Sequence, residues 1–333
     1  MADVSWSRYG DEDCLRLGGV APEANVRVRA GTAVVVGELP PMAGRIVRDG
    51  SDTCFVPRFA FVDGTTYTVL VEGLAAAVLV RPRRDGAAST KVIDIRPTAN
   101  EVPRNLLRFY VRFSSRMSEG QAANHVRLVD DDGETMLGAL LPTEHELWDA
   151  DRHRLTVLLD PARIKRGLAG HREVGYPLRA GTSFRLVVDE GFRDTRGMPL
   201  RASAERRYEV GGDARSRVDP NSWPLTEPPQ GSSQPLAVAF DRPLDHGLLA
   251  RCVHIIGPDG QVVEGTVTVG AEERSWMFAP RIAWRSGLHH LVVDPVLEDV
   301  AGNSVSRVFD RDLARREDEP GDAQTVTLAF RPH

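Results

Sequence analysis

The densest group of reactive side chains lies within residues 142–176, on both sides of an apolar stretch at residues 154–160. A histidine whose ring is oriented by a carboxylate can act as a general acid or base near neutral pH. The candidate catalytic residues are His145, His153 and His171, with Glu146 or Asp149 as the carboxylate. Acid–base chemistry is therefore one hypothesis for this segment.

The same segment also carries groups suited to binding an anion. A guanidinium presents two parallel N–H donors to a carboxylate or a phosphate, and an indole ring can stack on a flat ligand. A lysine, unlike an arginine, can lose its proton when it is buried. The candidate ligand-binding residues are Trp148, Asp149, Arg163, Lys165, Arg166 and Glu173.

A purely structural role is the third hypothesis, and the sequence leaves all three open. Salt bridges would then join three basic residues to three carboxylates, namely Arg163, Lys165 and Arg166 to Asp149, Asp160 and Glu173. Trp148 would close one end of the domain core. Metal ligand types are also present, Glu144 among them, but their spacing matches no metal-binding pattern. We expect no metal and no cofactor.

These residues lie in loops that lengthen the central part of the chain. From an Asp-Gly turn to the next turn glycine there are 48 residues in the centre (133–181) and 27 in the C-terminal part (260–287), an excess of 21. The excess falls in two places, called here the first insert (residues 142–149) and the second insert (residues 163–176). Long loops on a rigid scaffold often carry binding or catalytic residues.

Established catalytic motifs are missing from the sequence. It contains no G-x-S-x-G turn, no phosphate-binding P-loop and no G-x-G-x-x-G segment. Residues 145–149 begin like the zinc motif H-E-x-x-H but end in Asp149. They also fall in a loop, whereas that motif needs a helix to bring both ligands to one face. The sequence therefore does not predict a zinc hydrolase.

One pattern occurs three times along the chain, at intervals of 117 and 106 residues. A glycine that ends a turn is followed three residues later by a ring and then by alternating apolar residues. The ring residues are Tyr67, Phe184 and His290. Alternation with period two after a turn predicts a half-buried strand, so we expect these rings in the core.

Two short motifs carry a resemblance to a known family. Residues 194–197 and 299–302 read D-x-x-G, and residues 113–117 and 240–244 read F-[SD]-x-x-[ML]. They resemble the bacterial Ig-like domain of S-layer proteins. Residues 105–110 and 160–168 extend the resemblance to a family of three-domain bacterial proteins of unassigned function. The resemblance implies a fold and hardly any activity.

The sequence thus predicts an all-β protein of three consecutive Ig-like β-sandwich domains, the central one with two loop inserts. The expected domains cover residues 1–97, which diverge most, residues 98–212 and residues 218–331. Residues 325–330 alternate and predict a closing strand at a sheet edge. Asp194 and Asp299 are expected to accept backbone N–H groups within their turns.

Composition narrows the range of partners. The net charge is −5, and only two of the 42 basic residues are lysines, so nucleic acid is not an expected partner. No apolar run is long enough to insert into a membrane, and the N-terminus lacks a signal-peptide pattern. We expect a cytoplasmic location for the sequence as given. The cysteines, Cys14, Cys54 and Cys252, are expected to be free thiols, with a Cys14–Cys54 disulfide as the alternative.

The leading functional prediction is an interaction or ligand-binding protein without catalysis, whose partner is a protein or a small anionic ligand. A cytoplasmic bacterial biosynthetic enzyme using the histidines and carboxylates above is the alternative, and a structural spacer is the third class. Exposed sheet edges also leave a homo-oligomer open.

Overall fold

The computed structural model describes residues 3–32, 40–82, 88–142, 145–312, 314–321 and 324–333. Their strands form three consecutive Ig-like β-sandwiches, which confirms the predicted all-β fold class. No helix within these ranges is long and apolar enough to cross a membrane.

The first domain packs a four-stranded sheet, in the order β1–β2–β5–β4, against a three-stranded sheet, in the order β3–β6–β7. Its strands are β1 (Asp3–Tyr9), β2 (Glu12–Gly18), β3 (Val26–Ala30), β4 (Gly44–Asp49), β5 (Asp52–Pro57), β6 (Thr66–Val71) and β7 (Leu74–Val80). All of its strand pairs are antiparallel.

The second domain contains two four-stranded sheets, in the orders β12–β13–β10–β8 and β11–β14–β15–β9. Its strands are β8 (Val92–Arg96), β9 (Glu101–Pro103), β10 (Arg108–Phe113), β11 (Val126–Asp130), β12 (Leu147–Trp148), β13 (Arg154–Leu158), β14 (Ser183–Val188) and β15 (Ala204–Gly211). Its short helices are α1 (Ala122–His125), α2 (Pro161–Ile164) and α3 (Ala169–Val174). Because β8 pairs with β10, the first domain ends before this strand and not at residue 97 as the sequence predicted.

The third domain has sheets in the orders β16–β17–β20–β19 and β18–β21–β22. Its strands are β16 (Leu225–Thr226), β17 (Leu236–Ala239), β18 (Val253–Ile256), β19 (Gly265–Val269), β20 (Ser275–Pro280), β21 (His289–Val293) and β22 (Val326–Phe330), and its helix is α4 (His246–Cys252). Three 3₁₀ turns lie at Pro220–Ser222, Ala271–Glu273 and Arg316–Asp318. The strand β22 lies at a sheet edge, as predicted.

Two of the three predicted core rings are in the core. Tyr67 and Phe184 are 2% and 1% exposed. In the third copy the buried ring is His289, which lies 5.4 Å from the Trp284 ring, while His290 is only half-buried. The prediction for His290 is wrong because a shift of one residue along a strand moves a side chain to the opposite face.

The D-x-x-G turns have the predicted geometry. Asp299 Oδ1 accepts the backbone N–H groups of Ala301 and Asn303, both at 2.9 Å. Asp194 Oδ1 accepts those of Arg196 and Met198 at 2.9 and 3.0 Å. Both carboxylates are 1% exposed, so these bonds offset their burial. The three cysteines are free and buried.

The second and third domains share part of one core. Val300, in the Asp299 turn, belongs to the apolar cluster of the second domain, and Phe309 packs against the same cluster. The backbone N–H of Leu107 donates to the Val300 carbonyl at 3.0 Å. Apolar burial therefore fixes the third domain on the second.

Charged side chains join the first and second domains. Arg152 Nη2 lies 2.5 Å from Glu12 Oε1, and both residues are buried. Arg58 Nε lies 2.9 Å from Glu119 Oε2. Their apolar clusters are separate in the part of the chain that the structure describes. Paired charges therefore contribute to this junction.

Candidate functional site

The first insert is held to the core by the carboxylate of Glu146. Glu146 Oε1 accepts the backbone N–H of Ala122, and Oε2 accepts the indole N–H of Trp148, both at 2.6 Å. The Trp148 ring packs 5.8 Å from Phe113 and 6.0 Å from Phe192. Trp148 thus closes one end of the core, and its only polar group already has an acceptor.

Asp149 shapes the turn between β12 and β13. Its Oδ1 accepts the backbone N–H groups of His153 and Arg154 at 2.8 and 3.1 Å. The ring nitrogen Nδ1 of His153 lies 3.3 Å from the carbonyl of Phe113. Asp149 therefore binds backbone and not an imidazole ring.

The predicted acid–base pairs are not assembled among the described residues. His145 is exposed, Glu146 and Asp149 are engaged as described above, and Glu144 lies outside the described residues. Because β12 is a strand, residues 145–149 also lack the helix that a zinc motif needs. No group of three or more potential metal ligands lies together in the described ranges.

Arg163 is the central residue of the second insert. Its guanidinium donates to the carbonyls of Gly138, Tyr176 and Gly175 at 2.8, 3.0 and 3.1 Å. Burial lowers its pKa. The His171 Nδ1 lies 2.5 Å from the Arg163 carbonyl, so this histidine also belongs to the loop framework. Arg163 therefore holds the loops together and is not available as the predicted anion clamp.

The rest of the second insert contacts the third domain. Arg166 Nε donates to Asp310 Oδ2 at 2.9 Å, and Lys165 Nζ lies 4.5 Å from the centre of the Phe309 ring. Glu173 is exposed. The predicted salt-bridge network between the insert's own residues is wrong, because the acceptors come from backbone carbonyls and from the neighbouring domain.

The first insert instead borders a cleft of about 590 Å³ between the first and second domains. Four arginines and four carboxylates line it, namely Arg45, Arg58, Arg116, Arg152, Glu12, Glu119, Glu146 and Asp149. Trp148 forms part of its wall. Three of the predicted residues, Glu146, Trp148 and Asp149, are thus brought together at one site.

Three of the four cleft arginines have carboxylate partners. Arg45 and Arg152 both bind Glu12, and Arg58 binds Glu119. Burial opposes ionisation of Glu12, but the hydrogen bond from Arg45 and the charges of Arg116 and Arg152 hold its pKa below the usual value. Glu12 is therefore ionised at neutral pH.

Arg116 is the exception in the cleft. Its Nε is buried, and none of the described residues accepts a hydrogen bond from its guanidinium. A buried donor without an acceptor costs free energy unless water or a ligand supplies one. Sequence reasoning missed Arg116 because it follows β10 within the F-S-S-R-M motif, which points to fold and not to binding.

Comparisons with known proteins give no family and no function. No protein-family model matches the chain, and no curated protein matches it. A fragment of native alpha-2-macroglobulin from Escherichia coli is 11% identical over 72% of this chain and 71% of that chain, with a TM-score of 0.25. A tandem of titin Ig domains is 12% identical over 73% and 96%, with a TM-score of 0.21. An I-band fragment of titin is 9% identical over 99% and 96%, with a TM-score of 0.20.

Proposed function

We propose that this chain is a soluble, multi-domain Ig-like binding protein without catalysis, and that the cleft between its first two domains receives a small anionic ligand. The observation that carries the proposal is the unpartnered guanidinium of Arg116. The ligand class is a carboxylate or phosphate, since either group accepts two parallel N–H bonds from one arginine.

The surroundings of Arg116 support this choice of ligand. The carboxylate of Glu12, whose charge interacts with that of Arg116, is already shared by Arg45 and Arg152. An incoming anion therefore would not have to displace a partner of Arg116. The wall formed by Trp148 would add apolar contact, because its N–H is occupied by Glu146.

The enzyme alternative receives less support. Its candidate carboxylates, Glu146 and Asp149, each accept two hydrogen bonds from groups other than histidine rings. Membership of a three-domain bacterial family and a cytoplasmic location stay predictions from the sequence.

Titration calorimetry of the full chain with citrate and with inorganic phosphate tests the proposal. We expect saturable binding of at least one probe. Arg116→Gln should weaken it about tenfold or more, because a hydrogen bond to a charged group contributes roughly 1.5–3 kcal/mol. The matched control is Arg281→Gln, which removes an exposed arginine of the third domain.

Two outcomes contradict the proposal. The first is that neither probe binds wild-type protein. The second is that Arg116→Gln binds as tightly as Arg281→Gln. Either result would favour the spacer hypothesis for the first two domains.

A further inference from the structure

A second cationic group lies where the third domain docks on the sheet β12–β13–β10–β8. Arg112 of β10 and Arg154 of β13 are directly opposite each other in the antiparallel register, so they project from the same face. Like charges in this arrangement destabilise a sheet unless they are compensated. The two arginines therefore require nearby negative charge.

Only one of the two has a carboxylate partner. Arg112 donates to Asp94 Oδ2 through Nε at 3.0 Å and Nη2 at 2.6 Å. The Arg154 guanidinium lies 5.3 Å from the centre of the Tyr110 ring, and its Nε is buried. Among the described residues, none accepts a hydrogen bond from that guanidinium. Arg154 thus resembles Arg116 of the cleft, at the other junction.

The third domain brings a histidine to this place. The Tyr110 hydroxyl donates to Asp245 at 2.8 Å, and the next residue, His246, begins α4. The following residue is Gly247, and a Cβ there would lie 2.8 Å from the Tyr110 oxygen. Its lack of a side chain therefore permits this close approach. His246 Nδ1 is buried and has no hydrogen-bond partner in the described ranges.

Two neighbouring arginines are paired with carboxylates. Arg96 binds Glu273 at 2.8 Å and lies 3.5 Å from Asp94. Arg108 binds Glu298 and lies 3.4 Å from Asp245. The compensation is thus uneven. Among the described residues, Arg96, Arg112 and Arg154 are paired with two carboxylates, Asp94 and Glu273, so positive charge exceeds negative charge beside His246.

We propose that Arg112, Arg154 and His246 bind a tetrahedral oxyanion, such as a phosphate group, at the junction of the second and third domains. The donors belong to two strands and to a helix of another domain, and an oxyanion with several acceptor oxygens could offer one to each of them. This site uses none of the residues of the cleft, and the proposal does not depend on the proposed function.

Binding should be linked to proton uptake by His246. In the free protein, burial and the charges of Arg96, Arg112 and Arg154, partly offset by Asp94, lower the His246 pKa to about 4. A bound oxyanion would favour the charged imidazole and raise that pKa. Affinity should therefore increase as the pH falls from about 7.5 to about 5.5.

The test is titration calorimetry of the full chain with sulfate, whose own charge is constant over this pH range. We expect saturable binding that tightens at about pH 5.5 compared with about pH 7.5, at equal ionic strength. Arg154→Gln should weaken binding about tenfold or more. His246→Gln should retain binding but lose its pH dependence. Arg281→Gln should leave both properties unchanged.

The outcomes separate the two proposed sites. The junction proposal is wrong if sulfate does not bind wild-type protein, or if Arg154→Gln and Arg112→Gln both bind it normally. If Arg116→Gln removes sulfate binding and Arg154→Gln does not, the anion occupies the cleft instead. A third outcome is that wild-type protein binds acetate but not sulfate, and that Arg154→Gln loses the acetate binding. This outcome would contradict the preference for a tetrahedral anion. Thermal unfolding of each variant shows whether it is folded.

Discussion

Asp299 is a buried carboxylate whose protonation should affect stability. Burial raises its pKa to about 6, against the lowering effects of the Asn303 hydrogen bonds and the Arg242 charge. In the unfolded chain the carboxyl has its ordinary pKa of 3.8. Between these values the folded state binds the proton more tightly. The contribution of Asp299 to the free energy of unfolding is therefore complete below about pH 4 and is lost as the pH rises through about 6.

The first prediction concerns Asp299→Asn, which keeps an acceptor for the turn N–H groups. We expect the free energy of unfolding of wild-type protein, relative to this variant, to decrease as the pH rises from about 4 to about 6. Urea unfolding at a series of pH values measures this difference. The difference between the two proteins is used because His246 acts in the opposite direction. Its lowered pKa makes the free energy of unfolding increase with pH over an overlapping pH range. A constant difference would contradict the prediction.

At the level of elements, the second insert depends on one side chain. Arg163 donates to three backbone carbonyls that belong to different parts of the loops. We predict that Arg163→Ala lowers the free energy of unfolding by about 1–3 kcal/mol, because it removes three hydrogen bonds donated by a charged group. Arg172→Ala is the control, since it removes an exposed arginine of α3. Equal stability of both variants, measured by urea unfolding, would contradict this role.

The strands were more predictable than the inserts. Alternation after a turn correctly placed β6 and β14, since one face of each strand must be buried. The roles of Glu146 and Arg163 could not be predicted in this way. Their partners are an indole N–H and backbone groups, which residue patterns do not specify. Residue types alone therefore predicted catalytic or binding roles for side chains that hold the loops together.

At the scale of the whole molecule, the two junctions should respond differently to the loss of one charge. We predict that Arg152→Gln loosens the first domain and increases the radius of gyration measured by small-angle X-ray scattering, because it removes a buried pair with Glu12. The control Arg166→Gln removes the pair with Asp310. There the packing of Val300 remains, so the radius should not change. A change in both variants, or in neither, would contradict this distinction.

One domain boundary could not be predicted from the sequence. The pattern of β8 is that of a strand, and only its pairing with β10 assigns it to the second domain. A strand pattern gives no information on which sheet the strand will join. The same limit applies to the cleft. Two of its arginines, Arg45 and Arg152, are more than 100 positions apart in the sequence.

The location of Val300 in the core of the second domain also bears on how the protein is made. Synthesis begins at the N-terminus, so the strands of the second domain, residues 92–211, leave the ribosome well before Val300 does. During that interval Leu107 lacks the carbonyl that its N–H will bind, and the core lacks one of its members. The second domain is then an incomplete folding unit, which the nascent third domain must finish.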